Sequence, residues 1–386
     1  VSATGYLAVS TPLRLSVGGT TVALPILAVE ALDDVALGGL LAAACLAPSI
    51  LAAPFVGAVL DRTRHPRGLI ALAGLITALG TLVAALLGEI PTVVVALAVV
   101  AAGTTTPFFM GGLSSFASEE IPNEHRAYAL DALSYNLGSV AGPAVVAAAS
   151  ALGSARIAVV AMAVAAALGS AATILTRLRP RADAPAVSMR SAIVAGLRHI
   201  VTHRPIAVVT ASGTLSQLGG GALAVAAVVL STERAGTPDQ GAVVVSAFAV
   251  GGLLGALLIA VRPVHAPAEW TMGAGFAATG VLTIVAAVDL GLWWTTLLIG
   301  LSGLFTASSA AAMLLLRKQQ SLPDVRSQVF TVGAGLRATA AAAGAAVAGI
   351  AAGIGGAWLI VGIGAVWIAS GALMLAYPRG TRPLDP

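Results

Sequence analysis

The chain has 386 residues, of which 58% are hydrophobic and only 9% charged, with a formal charge of +4 and a mean hydropathy of +0.97. So few charges cannot cover the surface of a water-soluble globule, and a bilayer is the expected solvent. The basic balance does not indicate nucleic acid, because Lys and Arg fall in short segments beside apolar runs rather than on one face.

Crossing about 30 Å of hydrocarbon takes roughly 20 apolar residues. In chain order the candidate spans are Leu13 to Leu32, Ala36 to Leu60, Gly68 to Gly88, Pro91 to Leu113, Ala127 to Ala151 and Ala155 to Leu175. A second set follows: Ile206 to Ser231, Gly241 to Val261, Glu269 to Val288, Gly291 to Leu316, Gln328 to Gly353 and Gly356 to Tyr377. The first span is too long and too polar at its start to be a cleaved signal peptide. As the chain starts at Val1, an initiator residue and a short preceding segment are expected upstream. Placing the N-terminus inside puts every Lys and Arg except Arg156, Arg234 and Arg337 at the cytoplasmic side, Arg14 and Arg317 included, so both termini are expected there. Glu30, Asp33, Asp34, Glu89, Glu233, Asp239 and Asp289 then gather at the outer ends.

The longest inner loop divides the chain into an N-terminal bundle (1–178), a cytoplasmic linker (179–205) and a C-terminal bundle with a short tail (206–386). Within the linker, Met189, Ile193, Leu197 and Ile200 share one helical face, which predicts an amphipathic helix on the inner membrane surface. The halves also repeat each other. Ile121, Pro122 and Arg126 ahead of the fifth span recur as Leu322, Pro323 and Arg326 ahead of the eleventh, and Gly57 has a counterpart in Gly255.

Between the second and third spans lie Gly57, Asp61, Arg62, Arg64, His65 and Arg67. Their order resembles a signature of the major facilitator superfamily, Gly-x-x-x-Asp-Arg-x-Gly-Arg-Arg, with Arg64 standing where the family has glycine. In the fifth span, Gly138, Gly142 and Pro143 resemble the Gly-x-x-x-Gly-Pro core of the same family's antiporter motif, with Val146 and Ala147 replacing its closing glycines. Ordinary small-residue packing is the other reading of these glycines. The resemblance implies an all-α polytopic membrane protein with twelve transmembrane helices in two pseudo-symmetric six-helix bundles. It further implies a secondary active transporter working by alternating access. The likeness is closest to the efflux branch that includes enterobactin-type and macrolide exporters, where protons moving inward drive a lipophilic substrate outward. Gly57, Asp61, Arg62, Gly138, Gly142 and Pro143 are the implied gating positions. Two departures stand out: the fourth span has no arginine, and Gly18 and Gly19 replace the acid that many related exporters carry in the first. A uniporter or importer, or a scaffold or sensor that keeps the fold without turnover, therefore stays open.

Polar residues inside apolar spans are costly and mark function or internal pairing. Asp131 heads a polar stripe with Ser134 and Tyr135 in the fifth span. Proton coupling and a structural ion pair are its two readings, and Glu30 at the outer end of the first span is the next coupling candidate. Arg337 lies about 16 Å past Arg326 along a helix, near mid-membrane, and suits either a substrate contact or a fixed pair. Tyr135, Asn136 and Gln217 complete the substrate-binding candidates, with helix-to-helix hydrogen bonding as the alternative. Arg337 favours an anionic or zwitterionic substrate, and the apolar walls favour a lipophilic one. Thr104 to Thr106 with Pro107 predict a bend in the fourth span.

Enzymatic chemistry finds little support. His65, His125, His199, His203 and His265 show no metal-site spacing, Cys45 is alone, and no phosphate-binding loop exists. No enzyme activity, metal or cofactor is expected. The expected partners are a small-molecule substrate, protons as the coupling ion and the lipid bilayer of a bacterial-type inner membrane, with no nucleic acid, and the chain is expected to be a monomer.

Overall fold

A computed structural model describes residues 3–120, 124–175, 189–261, 266–321 and 326–378, with 380 and 384. The N-terminal half contains α1 (Ala3–Leu32), α2 (Val35–Arg62), α3 (Pro66–Ala84), α4 (Thr92–Thr105), α5 (Gly111–Glu120), α6 (Glu124–Ala151) and α7 (Ala155–Leu175). A separate helix, α8 (Met189–Thr202), follows where the amphipathic linker helix is expected. The C-terminal half contains α9 (Arg204–Ala235), α10 (Gln240–Val261), α11 (Ala268–Ala286), α12 (Leu292–Gln319), α13 (Arg326–Ile350) and α14 (Gly356–Leu373).

With α4 and α5 forming one broken span, this is an all-α polytopic membrane fold of twelve spans, six in each half. The break is the bend expected from the threonine run. Thr105 and Thr106 turn their hydroxyls back to the Ala102 carbonyl at 2.9 and 3.2 Å, and a 3-10 turn at Thr106–Phe108 carries Pro107. Among the described residues, ten helices are individually long and apolar enough to cross a membrane. The other two spans, α6 and α11, fall short of that measure over their described residues. The apolar side chains of α3 that remain exposed, Leu72, Leu75, Leu79 and Leu82, follow helical spacing. Such a stripe suits lipid and would be a liability in water.

Packing repeats between the halves. α1 lies along α6 and α7 as α9 lies along α13 and α14, and α3 meets α7 as α11 meets α14. The close approaches are made by glycines, as expected where lipid supplies no hydrophobic drive and van der Waals contact decides association. A Cβ on Gly18 would stand 2.9 Å from the Gly138 carbonyl, while one on Gly142 would stand 2.6 Å from the Gly19 nitrogen. The C-terminal half builds the matching contact from Gly221 against the Ala341 carbonyl.

An even number of spans brings the start of α1 and the end of α14 to one face, called proximal here. At the opposite, distal face the halves are sealed. Gly39 of α2 packs on Ala345 and Gly349 of α13, and Val228 and Ala242 join the apolar cluster around Val22 to Ala28. Nearer the proximal face the clusters stay within one half: Tyr6, Val9, Leu13, Val56 and Phe109 in one, Val209, Met272, Met313 and Tyr377 in the other.

Candidate functional site

α1 starts at Ala3 rather than Leu13, so Arg14 is not a loop residue but lies well inside a span, 2% exposed. Its guanidinium reaches α6. Nη2 donates to Asp131 Oδ1 at 2.7 Å and to Ser114 Oγ of α5 at 2.7 Å, while Nη1 donates to the Asp131 carbonyl at 3.0 Å and to Ser134 Oγ. Tyr6, two helical turns before Arg14, donates its hydroxyl to the same Asp131 Oδ1 at 2.6 Å, and Ser114 Oγ lies 2.9 Å from it. The Tyr135 ring sits under the cation, 3.7 Å from its centroid. Asp131 is thus a member of a buried ion pair spanning α1, α5 and α6. Tyr135 belongs to the same network, and Asn136 is half-buried beside it.

Gly138 is part of this construction, because a Cβ there would stand 2.9 Å from Cβ of Arg14. The Gly138 and Gly142 face packs on Gly18 and Gly19 of α1, within its own half. The helix runs through Pro143 to Ala151, and α10 of the other half meets it separately. Gly18 and Gly19 carry no acid for a steric reason: a Cβ on Gly18 meets the Gly138 carbonyl, and one on Gly19 meets the Met162 side chain of α7. Gly57, Asp61 and Arg62 end α2, and their side chains lie outside the described residues. So do the Ile121 and Leu322 repeat segments and residues 176–188 of the linker.

The C-terminal half builds a different centre at a related place. Gln217 stands four residues before Gly221, as Arg14 stands four before Gly18; Arg337 stands four before Ala341, as Ser134 stands four before Gly138. Arg337 is half-buried, and its Nη1 is buried without a hydrogen-bond partner. Gln217 is exposed on α9, a helix packed by α10, α12, α13 and α14 that also meets α1 and α2. A third member is Arg317 of α12. It is 0% exposed, although its neighbour Lys318 is exposed and the pair resembles a loop terminus in sequence. Its guanidinium lies between Gly213 of α9 and Gly333 of α13, the residues one turn before Gln217 and Arg337. None of its Nε, Nη1 and Nη2 atoms has a hydrogen-bond partner.

Glu30 accepts the backbone N–H of Ala155 at 2.7 Å and so caps the first residue of α7. Glu233 does the same for α14, accepting the Gly356 N–H at 3.0 Å. Equivalent helices carry equivalent caps, which is strong internal support for a duplicated architecture. Among the described residues no cluster of His, Cys, Asp and Glu has metal-binding geometry.

The Major Facilitator Superfamily model matches residues 7–261. The chain belongs to this superfamily. Solved structures extend the likeness over the whole fold. The nucleoside transporter NupG superposes with a TM-score of 0.81 at 13% identity, covering 98% of this chain and 100% of that one. A bacterial homolog of the human lysosomal transporter Spinster, in an inward-facing and occupied conformation, gives 0.77 at 13%, covering 100% and 98%. A peptide transporter POT in complex with alafosfalin gives 0.75 at 14%, covering 97% and 93%. Among curated proteins none matches the sequence. As a member of the major facilitator superfamily the chain is a membrane transporter in class, not an enzyme.

Two residues central to this facilitator's polar centres escape a sequence reading. Arg14 and Arg317 each stand near an expected span end, where a basic residue reads as a cytoplasmic anchor. For Arg14 a signal exists: Tyr6, Ser10 and Arg14 share one helical face upstream of the apolar run.

Proposed function

We propose that the chain is a secondary active exporter that moves a small lipophilic or amphiphilic molecule by alternating access, driven by protons moving the opposite way. The observation that carries this reading is Asp131, an acid within a span that ties α1 and α5 to α6 through Arg14, Tyr6 and Ser114. A proton on Asp131 removes one charge of the pair, leaves Arg14 with only its hydroxyl and carbonyl partners and loosens the three helices together, which biases the rearrangement of the half. Glu30 is the weaker coupling candidate, since its carboxylate already serves as a cap. Arg337, Gln217, Tyr135 and Asn136 are the proposed substrate contacts, and Gly57, Asp61 and Arg62 the proposed brace of the proximal gate. The distribution of Lys and Arg supports a cytoplasmic proximal face, and a bacterial-type inner membrane is the proposed location. In that orientation the state described is sealed outward and loads from inside.

One observation favours a proton-independent uniporter: Asp131 Oδ1 already has three partners, as a permanently structural pair would. Proteoliposomes loaded with a pH-sensitive dye separate the readings. With a panel of lipophilic test compounds under an imposed pH difference, the wild type should concentrate a substrate while consuming the gradient. Asp131→Asn should bind it and exchange it downhill only. An Asn variant that still concentrates substrate removes Asp131 from coupling, and a wild type that exchanges without proton flux makes the chain a uniporter.

A further inference from the structure

We propose that Arg317 and Arg337, with Gln217 beside them, form an oxyanion-binding site that takes a carboxylate or phosphate group of the transported molecule. This rests on the transporter reading above and adds the chemical class of the substrate.

Arg317 is fully buried with all three guanidinium nitrogens unpartnered, and Arg337 adds a second buried unpartnered nitrogen. Removing one cation from water without a partner costs several kcal/mol, and Arg337 is near enough to repel the first. No described ion pair involves either arginine; those present join Arg14 to Asp131, Arg156 to Glu89 and Arg234 to Asp289. Arg317 does lie in the last turn of α12, where the helix dipole supplies the equivalent of about half a negative charge. That cannot balance two guanidinium groups. The α13 backbone packs directly against the group: a Cβ on Gly333 would stand 2.9 to 3.0 Å from Nη1, Cζ and Nη2 of Arg317, so only glycine leaves the guanidinium its place. One turn beyond Gly333 comes Arg337, and one turn beyond Gly213 comes Gln217, so two planar cations and an amide gather on three helices. Guanidinium groups bind carboxylate and phosphate through paired N–H donors, which matches this donor set, and no described group consumes it. Where this chain uses a buried arginine structurally, at Arg14, it supplies an acid.

The test uses the full chain purified in neutral detergent, with thermal unfolding followed against sodium phosphate and sodium benzoate, and sodium chloride as the control. Phosphate or benzoate should raise Tm saturably while chloride does not. Arg317→Gln and Arg337→Gln should each weaken the apparent affinity about tenfold or more. Gly333→Ala keeps both charges and displaces only the flexible end of Arg317, so it should weaken binding in a chain that folds normally. Anionic lipid offers the same chemistry, so the series is repeated in micelles containing phosphatidylglycerol or phosphatidylcholine. A response to phosphatidylglycerol alone reassigns the site to lipid and overturns the substrate claim. No saturable response below roughly 10 mM, or an equal response in all three variants, overturns the site. The proton-flux assay stands apart from this one: a chain that binds the oxyanions but moves no protons keeps the site and loses the coupling reading.

Discussion

Arg14 and Arg337 belong to related places in the two halves yet have opposite electrostatic surroundings. In the N-terminal half a cation on α1 is met by Asp131, Tyr6 and Ser114, and Gly138 lets α6 approach closely enough to make those bonds. In the C-terminal half the α1 position becomes neutral Gln217, the cation moves across to α13, and Arg317 adds a second with no acid paired to it among the described residues. The backbone scaffold, the glycine contacts and the helix caps are shared. Duplication therefore preserves how helices touch, while the charge placed inside each half is free to diverge.

The comparison can be broken most forcefully at Arg14. Arg14→Leu strands Asp131 in a buried setting and should cost about 3–5 kcal/mol, read as unfolding of the purified protein in detergent. Adding Asp131→Leu should return much of that loss, and equal instability of the single and double variants would show that Arg14 acts through packing alone. The C-terminal counterpart should have the opposite sign. In oxyanion-free buffer Arg317→Met should raise stability by about 1–4 kcal/mol, because it removes an uncompensated buried charge; a loss of similar size would mean the protein satisfies that cation itself.

The shared scaffold predicts effects of the same sign in both halves. Gly18→Ala places a Cβ 2.9 Å from a backbone carbonyl that cannot swing away, and should cost about 1–3 kcal/mol. Gly221→Ala meets the Ala341 carbonyl at still closer range and should cost more, so a reversed order in melting temperature would argue against equivalent helix crossings. Smallest are the caps. Glu30→Gln and Glu233→Gln should each lose about 0.3–1 kcal/mol, and a large, unequal loss at Glu30 would give that carboxylate a duty beyond capping.

Much of the architecture was legible because apolar runs and loop charges obey the bilayer directly. The break in the fourth span followed from Thr104 to Pro107, and the helical linker from the spacing of Met189, Ile193, Leu197 and Ile200. The polar centres were only half visible. Asp131 and Arg337 stand conspicuously inside apolar sequence, whereas Arg14 and Arg317 sit where a span end and a buried turn look alike. Nothing in a single sequence says that Arg317 turns inward while Lys318 turns out; that depends on Gly333 on the next helix and on Gly213, far away in the chain. Likewise the Gly138 to Pro143 segment announces a close helix contact, but not that its partner is α1 of the same half.

The distal seal has a kinetic consequence. Gly39 and Gly349 meet backbone to backbone, among small apolar neighbours, with no described charge or side-chain hydrogen bond between them. Parting such a surface breaks only dispersion contacts, which salt does not screen. The glycine contact itself should add no salt dependence to the opening rate at that face, so salt sensitivity there reports on the like charges of Glu30 and Asp239, one from each half.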